Sequence, residues 1–249
     1  MARVLAVANQ KGGVAKTTTV ASLGAALSEL GQRVLLVDLD PQACLTFSLG
    51  FDPEDLDSSA YQVLLGSARL PEVVVQCEEG PDLVPATIQL ATAEVKLAGE
   101  TGREHVLRTA LRPVAPAYDW IIVDCPPTLG LLTIAGLSTA TDVLIPLQCE
   151  TLAHRGVGQL LDTIHDVKRL TNPGLRVLGV LPTLYDGRTN HARVVLDTIS
   201  ESYGLSVLAP AIPKSIRFAE APAVGRSILS TASRSAGADA YRKVAAGLL

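Results

Sequence analysis

The sequence contains few cysteines and few aromatic residues. Its four cysteines, Cys44, Cys77, Cys125 and Cys149, lie far apart and form no CxxC pair. This spacing excludes the usual zinc-binding pattern and a dense secreted disulfide framework, so we expect reduced thiols. Aromatic residues make up 4% of the chain, which argues against a surface that stacks single-stranded bases.

Long apolar runs of the kind that cross a membrane are also missing. The charge-free stretch between Asp124 and Asp142 is interrupted by prolines and glycines, so it does not predict a spanning helix. The first apolar segment ends at Asn9-Gln10-Lys11, too soon for a signal peptide. We therefore expect a cytoplasmic protein that does not enter a membrane.

Short apolar runs alternate with helical patterns along the 249 residues. Runs without polar alternation, typical of buried parallel strands, are Val4–Ala8, Arg33–Asp38, Trp120–Asp124, Asp142–Leu147 and Arg176–Leu181. The helix candidates are Lys16–Leu30, Thr87–Ala98 with Thr87 as N-cap, Ala153–Leu170, His191–Tyr203 and a packed terminal helix from Ala236. This order predicts an α/β fold: a doubly wound, mostly parallel sheet with helices on both faces, as one domain over residues 1–249. Residues 52–85 are expected to form peripheral helices and loops.

Charge is unevenly divided along the chain. The net charge is −4, but residues 1–150 hold 9 Lys and Arg against 18 Asp and Glu, whereas residues 151–249 hold 12 against 7. A basic part of an acidic protein binds a polyanion if its cations share one face, and scattered solvated arginines are the alternative.

The strongest motif is Asn9-Gln10-Lys11-Gly12-Gly13-Val14-Ala15-Lys16-Thr17-Thr18, between the first strand and the first long helix. A loop at this place directs backbone N–H groups and the positive end of the helix dipole at phosphates. Gly12 and Gly13 permit a close backbone approach, the Lys16 charge reaches the β- and γ-phosphates, and the Thr17 hydroxyl is a ligand for Mg²⁺. The motif predicts nucleotide binding by residues 11–18.

The loop departs from the ordinary pattern GxxxxGK[ST], because Gln10 and Ala15 occupy the two glycine positions. It instead resembles the deviant phosphate loop KGGxxK[ST] of the ParA/MinD family of ATPases, in which a further lysine, here Lys11, opens the loop. Ala15 adds a methyl group where that family has glycine, with an effect on affinity or turnover whose sign the sequence does not give.

Three aspartates follow two of the predicted strands. Asp38 and Asp40 end one strand and Asp124 ends another, and the carboxyl ends of parallel strands meet at the ligand-binding edge of an open sheet. We expect the three carboxylates to lie near the phosphates as metal and water ligands. The family resemblance implies that Asp40 orients the attacking water and that Asp124 holds Mg²⁺ through water, with Thr17 and Asp38 completing the metal site.

The resemblance is strongest to the ParA/Soj chromosome-partition branch. It rests on DLDPQ at Asp38–Gln42, YDGRTNHA at Tyr185–Ala192 and IPKSIRFAEAP at Ile212–Pro222. It implies an ATP- and Mg²⁺-dependent homodimer on the nucleoid that binds duplex DNA without sequence preference, and whose slow hydrolysis is stimulated by a ParB-type centromere-binding protein. No helix-turn-helix segment precedes the loop, which resembles the short chromosomal form.

The same resemblance assigns further residues. It implies that Lys11 reaches the nucleotide of the other subunit, and that Pro213 lies by the adenine. It places Arg188 and Arg217 on the DNA backbone, with Arg193 and Lys214 as possible extensions of that patch. Arginine suits this role because its planar guanidinium binds phosphate bidentately.

Three other functions stay open on the sequence alone. A ParA-like ATPase that positions another cargo on the nucleoid has the same motifs. A MinD-like membrane-cycling ATPase needs a basic amphipathic terminal helix, which the alanine-rich segment after Ala236 does not resemble. An iron–sulfur carrier needs bridging cysteines, and Cys125 beside Asp124 reads more simply as a buried apolar side chain.

Overall fold

The computed structural model describes residues 2–150, 153–188 and 190–249, and its centre is one mostly parallel sheet. The strands are β1 (Arg3–Val7), β2 (Val34–Asp38), β3 (Val75–Gln76), β4 (Asp82–Val84), β5 (Trp120–Asp124), β6 (Asp142–Gln148) and β7 (Arg176–Thr183). Their order across the sheet is β3-β4-β2-β5-β1-β6-β7, and β3 is antiparallel to β4 while the other neighbours are parallel.

Helices cover both faces of the sheet. They are α1 (Lys16–Glu29), α2 (Cys44–Ser48), α3 (Ala60–Leu64), α4 (Leu70–Val73), α5 (Leu90–Leu97), α6 (Val106–Leu111), α7 (Leu131–Thr139), α8 (Ala153–Leu170), α9 (Asn190–Tyr203), α10 (Arg217–Glu220), α11 (Ile228–Thr231) and α12 (Ala236–Leu248). None of the helices in the described residues is long and apolar enough to cross a membrane.

The central strands are buried on both faces, which explains their continuous apolar sequences. Every residue of β2 and of β5 is buried, and the side chains of alternate residues enter two separate core clusters on opposite sides of the sheet. Parallel sheets need such double cover because their connections place helices on both faces. The predicted doubly wound fold is confirmed.

The terminal helix α12 is packed, as predicted, and its partner in the structure is α1. Its Tyr241 is fully buried, its hydroxyl shares a hydrogen bond of 3.0 Å with the hydroxyl of Thr19, and its ring meets that of Phe218 edge-on at 5.9 Å between centroids. A buried tyrosine needs such a partner for its hydroxyl. The contact connects the end of the chain to the helix that follows the phosphate loop.

Two local predictions are wrong. Thr87 is not an N-cap, since α5 begins at Leu90 with Gln89 before it. Residues 87–89 form a turn instead, and the Thr87 hydroxyl pairs with that of Ser59 at 3.2 Å. Residues 52–85 do contain α3 and α4, but they also contribute β3 and β4, and β4 extends the sheet beside β2. Strands of two and three residues leave no periodic pattern to detect.

Candidate functional site

Hydrogen bonds to β6 and β7, and one within the loop itself, fix the loop between β1 and α1. The amide of Asn9 donates to the carbonyl of Pro146 at 2.8 Å, and its carbonyl oxygen accepts from the Lys11 backbone N–H at 3.0 Å. The Thr183 hydroxyl donates to the Val14 carbonyl at 3.0 Å. Because Pro146 lies on β6 and Thr183 on β7, the sheet itself holds the loop in shape.

The loop turns sharply into α1 through left-handed residues. Gly13 has φ 73° and Ala15 has φ 62°, and the left-handed region costs a non-glycine residue about 1–2 kcal/mol. Ala15 occupies the N-cap of α1 and offers no side chain to cap it. The first amides of α1 are therefore available to a bound anion, together with the positive end of the helix dipole.

Lys16 lies inside this loop and is buried. Its ammonium donates to the carbonyl of Lys11 at 3.1 Å. Burial lowers the pKa of Lys16, and the charges of Asp124 and Asp40 act in the opposite direction. The ammonium is thus held by the loop it completes, with two carboxylates beside it.

The predicted carboxylates come together at the carboxyl ends of β2 and β5. Asp38 and Asp124 are direct neighbours in the register of these strands. The oxygens of Asp38 are already occupied: Oδ2 accepts from the Thr46 hydroxyl at 2.7 Å and the Thr46 N–H at 3.0 Å, and Oδ1 accepts from the Asp40 N–H at 3.0 Å. Asp38 therefore holds the chain after β2 in place, and its role as a metal ligand stays a prediction.

Asp124, unlike Asp38, has carboxylate oxygens that no hydrogen bond from the described part of the chain occupies. Both of its carboxylate oxygens are buried and have no hydrogen-bond partner among the described residues. Burial raises the pKa of Asp124 well above its usual range, and Asp38 adds to this, while the nearby Thr17 hydroxyl and Lys16 lower it. A buried carboxylate without a partner is costly. A hydrated cation at this place would remove the cost.

These residues fit Mg²⁺ bound together with a phosphate. Mg²⁺ prefers oxygen ligands and keeps several of its waters, so one or two protein oxygens suffice when substrate phosphates supply the others. Thr17 and Asp124 offer such oxygens. The described residues hold no group of three His, Cys, Asp or Glu side chains that would bind a metal unaided.

Asp40 lines the cleft that opens over the phosphate loop. It is 9% exposed, and its Oδ1 accepts from the Gln42 backbone N–H at 2.9 Å. Its position after β2 is fixed through the contact of its N–H with Asp38 described above. Its predicted role in orienting the attacking water stays a prediction.

A cleft of about 570 Å³ opens over the loop. Its floor is residues 12, 13 and 15–18 with Asp40. Its far wall comes from the last third of the chain: Leu184, Ile212, Ser215, Phe218, Ala219 and Tyr241. Pro213 lies between two of these wall residues, so its predicted place by a base stays a prediction. Phe218 and Tyr241 were missed by the sequence reasoning, because nothing local in the sequence shows which distant helix covers a loop.

Lys11 points away from this cleft. Its ammonium forms an ion pair with Glu150, which follows β6, and Lys11 lines a second depression of about 470 Å³ on the other side of the loop with Asn9, Leu147 and Gly156. Lys11 and Lys16 thus face different sides of one loop. Glu150 was also missed, since no sequence motif connects it with Lys11.

The predicted DNA-contact residues lie in two segments that the fold joins. Tyr185 and Pro213 form a parallel bridge, in which the Tyr185 N–H donates to the Ile212 carbonyl at 2.9 Å and the Lys214 N–H donates to the Tyr185 carbonyl at 3.3 Å. This bridge brings the loop of Arg188 beside Lys214, and Arg217 follows on α10. Arg193 lies on α9, and all four side chains are exposed.

Two of these cations are paired with acids close in sequence. Arg188 binds Asp186 through two hydrogen bonds of 2.8 and 2.9 Å, and it lowers the pKa of Asp186 to about 2. Arg217 pairs with Glu220 at 2.8 Å. Both pairs are exposed, so each contributes little stability and exchanges readily for another anion.

The site defines a class of protein. A phosphate loop after the first strand, an uncapped helix N-terminus, an internal lysine and carboxylates at the ends of the neighbouring strands are the parts of a P-loop nucleotide-binding protein. The second lysine on the outer side of the loop sets it apart from the ordinary members of that class.

Comparison with known proteins gives the family. A family model described as an AAA domain matches residues 2–177. The sporulation initiation inhibitor protein Soj of Bacillus subtilis is 43% identical over 98% of this chain and 97% of its own. The chromosome partitioning protein ParA of Myxococcus xanthus is 41% identical over 96% of this chain and 85% of its own. The chain belongs to the ParA/Soj family of P-loop ATPases.

A solved structure supports the fold and the cofactors. The crystal structure of cobyrinic acid a,c-diamide synthase from Mycobacterium smegmatis, with bound ADP and magnesium, is 56% identical to this chain, with a TM-score of 0.90. It covers all of this chain, which in turn covers 94% of that structure. ADP and magnesium match the expected cofactors, ATP and Mg²⁺.

Proposed function

We propose that this protein is an ATP-dependent dimer that binds duplex DNA without sequence preference and drives chromosome or plasmid segregation with a ParB-type partner. The family membership supports the partition role, and the cleft supports ATP as the nucleotide. The cleft and the basic residues share one segment of the chain, which supports a connection between nucleotide and DNA binding.

One observation carries the proposal. The segment 212–219 is a wall of the nucleotide cleft and also a part of the basic surface. Ile212, Ser215 and Phe218 line the cleft, whereas Lys214 and Arg217, between them in sequence, are exposed. A nucleotide bound in the cleft therefore contacts the same segment that carries the basic side chains, and a dimer brings two such segments together.

The proposed hydrolysis of ATP depends on the phosphate loop and on the carboxylates beside it. The amides at the start of α1 and the Lys16 ammonium hold the phosphates, and oriented donors of this kind stabilise the charge of phosphoryl transfer. Thr17 and Asp124 would hold Mg²⁺, which would neutralise part of the phosphate charge. Asp40 orients the attacking water without touching the loop, so binding and hydrolysis depend on different side chains.

Dimerisation depends on Lys11. On the outer side of the loop its charge cannot reach the nucleotide of its own subunit as Lys16 does, but it is available to a second subunit that approaches this side. A positive charge given across an interface to phosphates makes the dimer depend on ATP. Two subunits then double the basic surface, and DNA affinity rises through multivalency.

A second activity is suggested by the name of the Mycobacterium smegmatis structure, an amide synthase. A synthase that takes ammonia from glutamine needs an activated cysteine thiolate. Burial raises the pKa of Cys44, Cys77, Cys125 and Cys149, that of Cys77 to about 12 and that of Cys149 to about 11. Burial thus disfavours the thiolate at all four cysteines, and the similarity to Soj and ParA over nearly the whole chain supports the partition ATPase.

A membrane-cycling function is less well supported. It requires a terminal helix whose apolar face is free to enter a lipid surface. In α12 that face is buried against α1, with Tyr241, Val244 and Leu248 all under 10% exposed. Transport of a cargo other than a chromosome uses the same ATP and DNA sites, so the partner alone distinguishes it.

The test is co-sedimentation of the purified protein with plasmid DNA in ATP, in ADP and without nucleotide. We expect binding in ATP alone, and equal binding to two DNAs of unrelated sequence. Binding to anionic liposomes but not DNA would favour the membrane-cycling function, and ATP-dependent amidation of cobyrinic acid would favour the synthase.

A further inference from the structure

The chain between β5 and α7 forms a loop that borders both depressions of the site. This β5–α7 loop, residues 125–130, begins directly after Asp124. Its Pro127 lines the nucleotide cleft and also the depression that holds Lys11. A shift of the β5–α7 loop therefore changes a wall of both depressions.

Helix α7, which follows this loop, begins without a cap of its own. Its N-cap is Gly130, which has no side chain, and its first turn contains no acidic residue. The first N–H groups of a helix have no partner within the helix, and they carry the positive end of its dipole. The Thr133 hydroxyl donates to the Thr128 carbonyl at 2.6 Å, which ties the loop to α7 but gives these N–H groups no acceptor.

Glu94 supplies an acceptor from another helix. Its Oε1 accepts a hydrogen bond from the Leu132 N–H at 3.1 Å, and its negative charge lies at the favourable end of the α7 dipole. Glu94 belongs to α5, which is anchored in the core by its buried residues Leu90, Ala93 and Leu97. The carboxylate of Glu94 thus joins α5 to the start of α7.

Gly130 makes room for this carboxylate. A Cβ atom at position 130 would stand 2.5 Å from Glu94 Oε1, which is closer than such atoms approach. The backbone of Gly130, with φ −78° and ψ −169°, is extended and open to any residue. Glycine is therefore required here by the approach of Glu94 and not by the backbone conformation.

We propose that Glu94 is a positioning residue for ATP hydrolysis, which acts by holding the β5–α7 loop, and that Gly130 admits its carboxylate to the start of α7. Glu94 lines neither depression, so its effect passes through the loop. The phosphates are bound by residues 11–18 on another loop, whereas the β5–α7 loop follows Asp124. Loss of the contact should therefore lower turnover more than ATP affinity. The effect on turnover rests on the proposed ATPase function; the effect on the position of the loop does not.

The first experiment removes the carboxylate. In Glu94→Ala we expect the amides of residues 126–132 to exchange hydrogen at least about fivefold faster, as measured by mass spectrometry. Turnover, measured by phosphate release, should fall about tenfold. Affinity for a non-hydrolysable ATP analogue should stay within about twofold of the parent. Glu94→Gln keeps an acceptor oxygen and should retain turnover to within about threefold.

The second experiment leaves Glu94 in place and removes its room. In Gly130→Ala the added methyl group should displace the flexible end of Glu94, so the variant should fold and lose turnover as Glu94→Ala does. Combining the two changes should cost no more than either alone, because both break the same contact. Gly99→Ala, whose methyl group meets nothing within 4 Å, and Glu100→Ala, at an exposed acid after α5, are the matched controls. Thermal melting of each variant measures its stability.

The outcomes are distinct. Turnover and exchange like those of the parent in Gly130→Ala, or losses that add in the double variant, would overturn the proposal. Equal falls in ATP affinity and turnover in Glu94→Ala would also overturn it. A lower melting temperature with unchanged turnover would make Glu94 an ordinary helix cap. A parent that never hydrolyses ATP would contradict the proposed function, and hydrogen exchange in the same variants would still decide whether Glu94 holds the loop.

Discussion

The phosphate loop and the basic segments near residues 188 and 217 hold their charges in opposite ways. In the loop, Lys16 is buried, is bound by a backbone carbonyl and lies beside carboxylates on the ends of strands. In the basic segments, Arg188 and Arg217 are exposed and paired with acids two or three residues away. The first arrangement is preorganised for one ligand, whereas the second can exchange one anion for another.

This difference assigns the two regions different tasks. A buried, fixed charge can distinguish states of a phosphate group, because moving it is costly. An exposed arginine that leaves a carboxylate for a DNA phosphate exchanges one ion pair for another of similar energy, so a single contact is weak. The proposed DNA binding would then need several contacts acting together, as a dimer would provide.

The largest effect is expected at Lys16. Lys16→Ala removes the buried cation from the phosphates and should lower ATP affinity more than about 100-fold. Isothermal titration with a non-hydrolysable ATP analogue measures this, with Lys168→Ala, on the exposed face of α8, as the matched control. Equal ATP affinity in the parent and in Lys16→Ala would show that Lys16 does not contribute to nucleotide binding.

Asp40→Ala should separate binding from hydrolysis. ATP affinity should stay within about twofold of the parent, while turnover falls about 100-fold, because the water loses its orienting group. Phosphate release measures the turnover and ATP titration measures the affinity. The variant should accumulate as an ATP-bound dimer. Turnover equal to that of the parent would show that another group positions the water.

Lys11→Ala tests whether the two lysines of one loop act on different subunits. The variant should keep most of its ATP affinity and lose dimerisation about tenfold or more, because its proposed contact lies across the interface. Sedimentation at several protein concentrations in ATP measures this. If Lys11→Ala dimerises like the parent, Lys11 is an ordinary partner of Glu150.

Substitutions in the basic segments should have smaller effects, which add together, on DNA affinity. Arg188→Ala and Arg217→Ala should each lower DNA affinity a few-fold, and each should reduce the slope of log affinity against log salt by about 0.9 for any DNA sequence. Arg169→Ala is the control, since Arg169 is likewise exposed and paired with an acid three residues away.

Removing the competing acid sharpens this test. Glu220→Gln frees Arg217 and should raise DNA affinity about twofold, with dimerisation unchanged. If neither arginine variant weakens binding, the DNA surface lies elsewhere on the molecule.

At Ala15 a small effect on stability is expected instead of an effect on DNA binding. Its left-handed backbone is strained by the methyl group, so Ala15→Gly should stabilise the fold by about 0.5–1 kcal/mol, after the greater entropy of glycine in the unfolded chain is counted. Urea unfolding measures this. A loss of stability would show that the methyl group makes contacts that outweigh the strain.

The sequence predicts the phosphate loop region well because its signals are local. The glycines, Lys16 and Thr17 lie in one run between a strand and a helix, and the strands that carry Asp38 and Asp124 are continuous apolar segments. The limits of β5 and α8 agree with the prediction residue for residue. Asp38 and Asp124 are brought together by strand pairing alone.

The rest depends on contacts between distant parts of the chain. Tyr241 reaches the cleft because α12 packs on α1, Glu150 meets Lys11 across the end of β6, and Phe218 completes a wall that begins at Ile212. No spacing in the sequence encodes these approaches. The short strands β3 and β4 were missed for a related reason, since pairing with β2 and not their own composition makes them strands.

The central claim is that ATP controls DNA affinity through a dimer. It is tested most directly by the DNA affinity of the parent and of Lys11→Ala, each saturated with ATP and each without nucleotide. We predict that the two proteins bind DNA equally weakly without nucleotide. ATP should raise the DNA affinity of the parent at least about tenfold more than that of the variant. Equal tightening of both by ATP would contradict the claim, and would place the control of DNA binding within a single subunit.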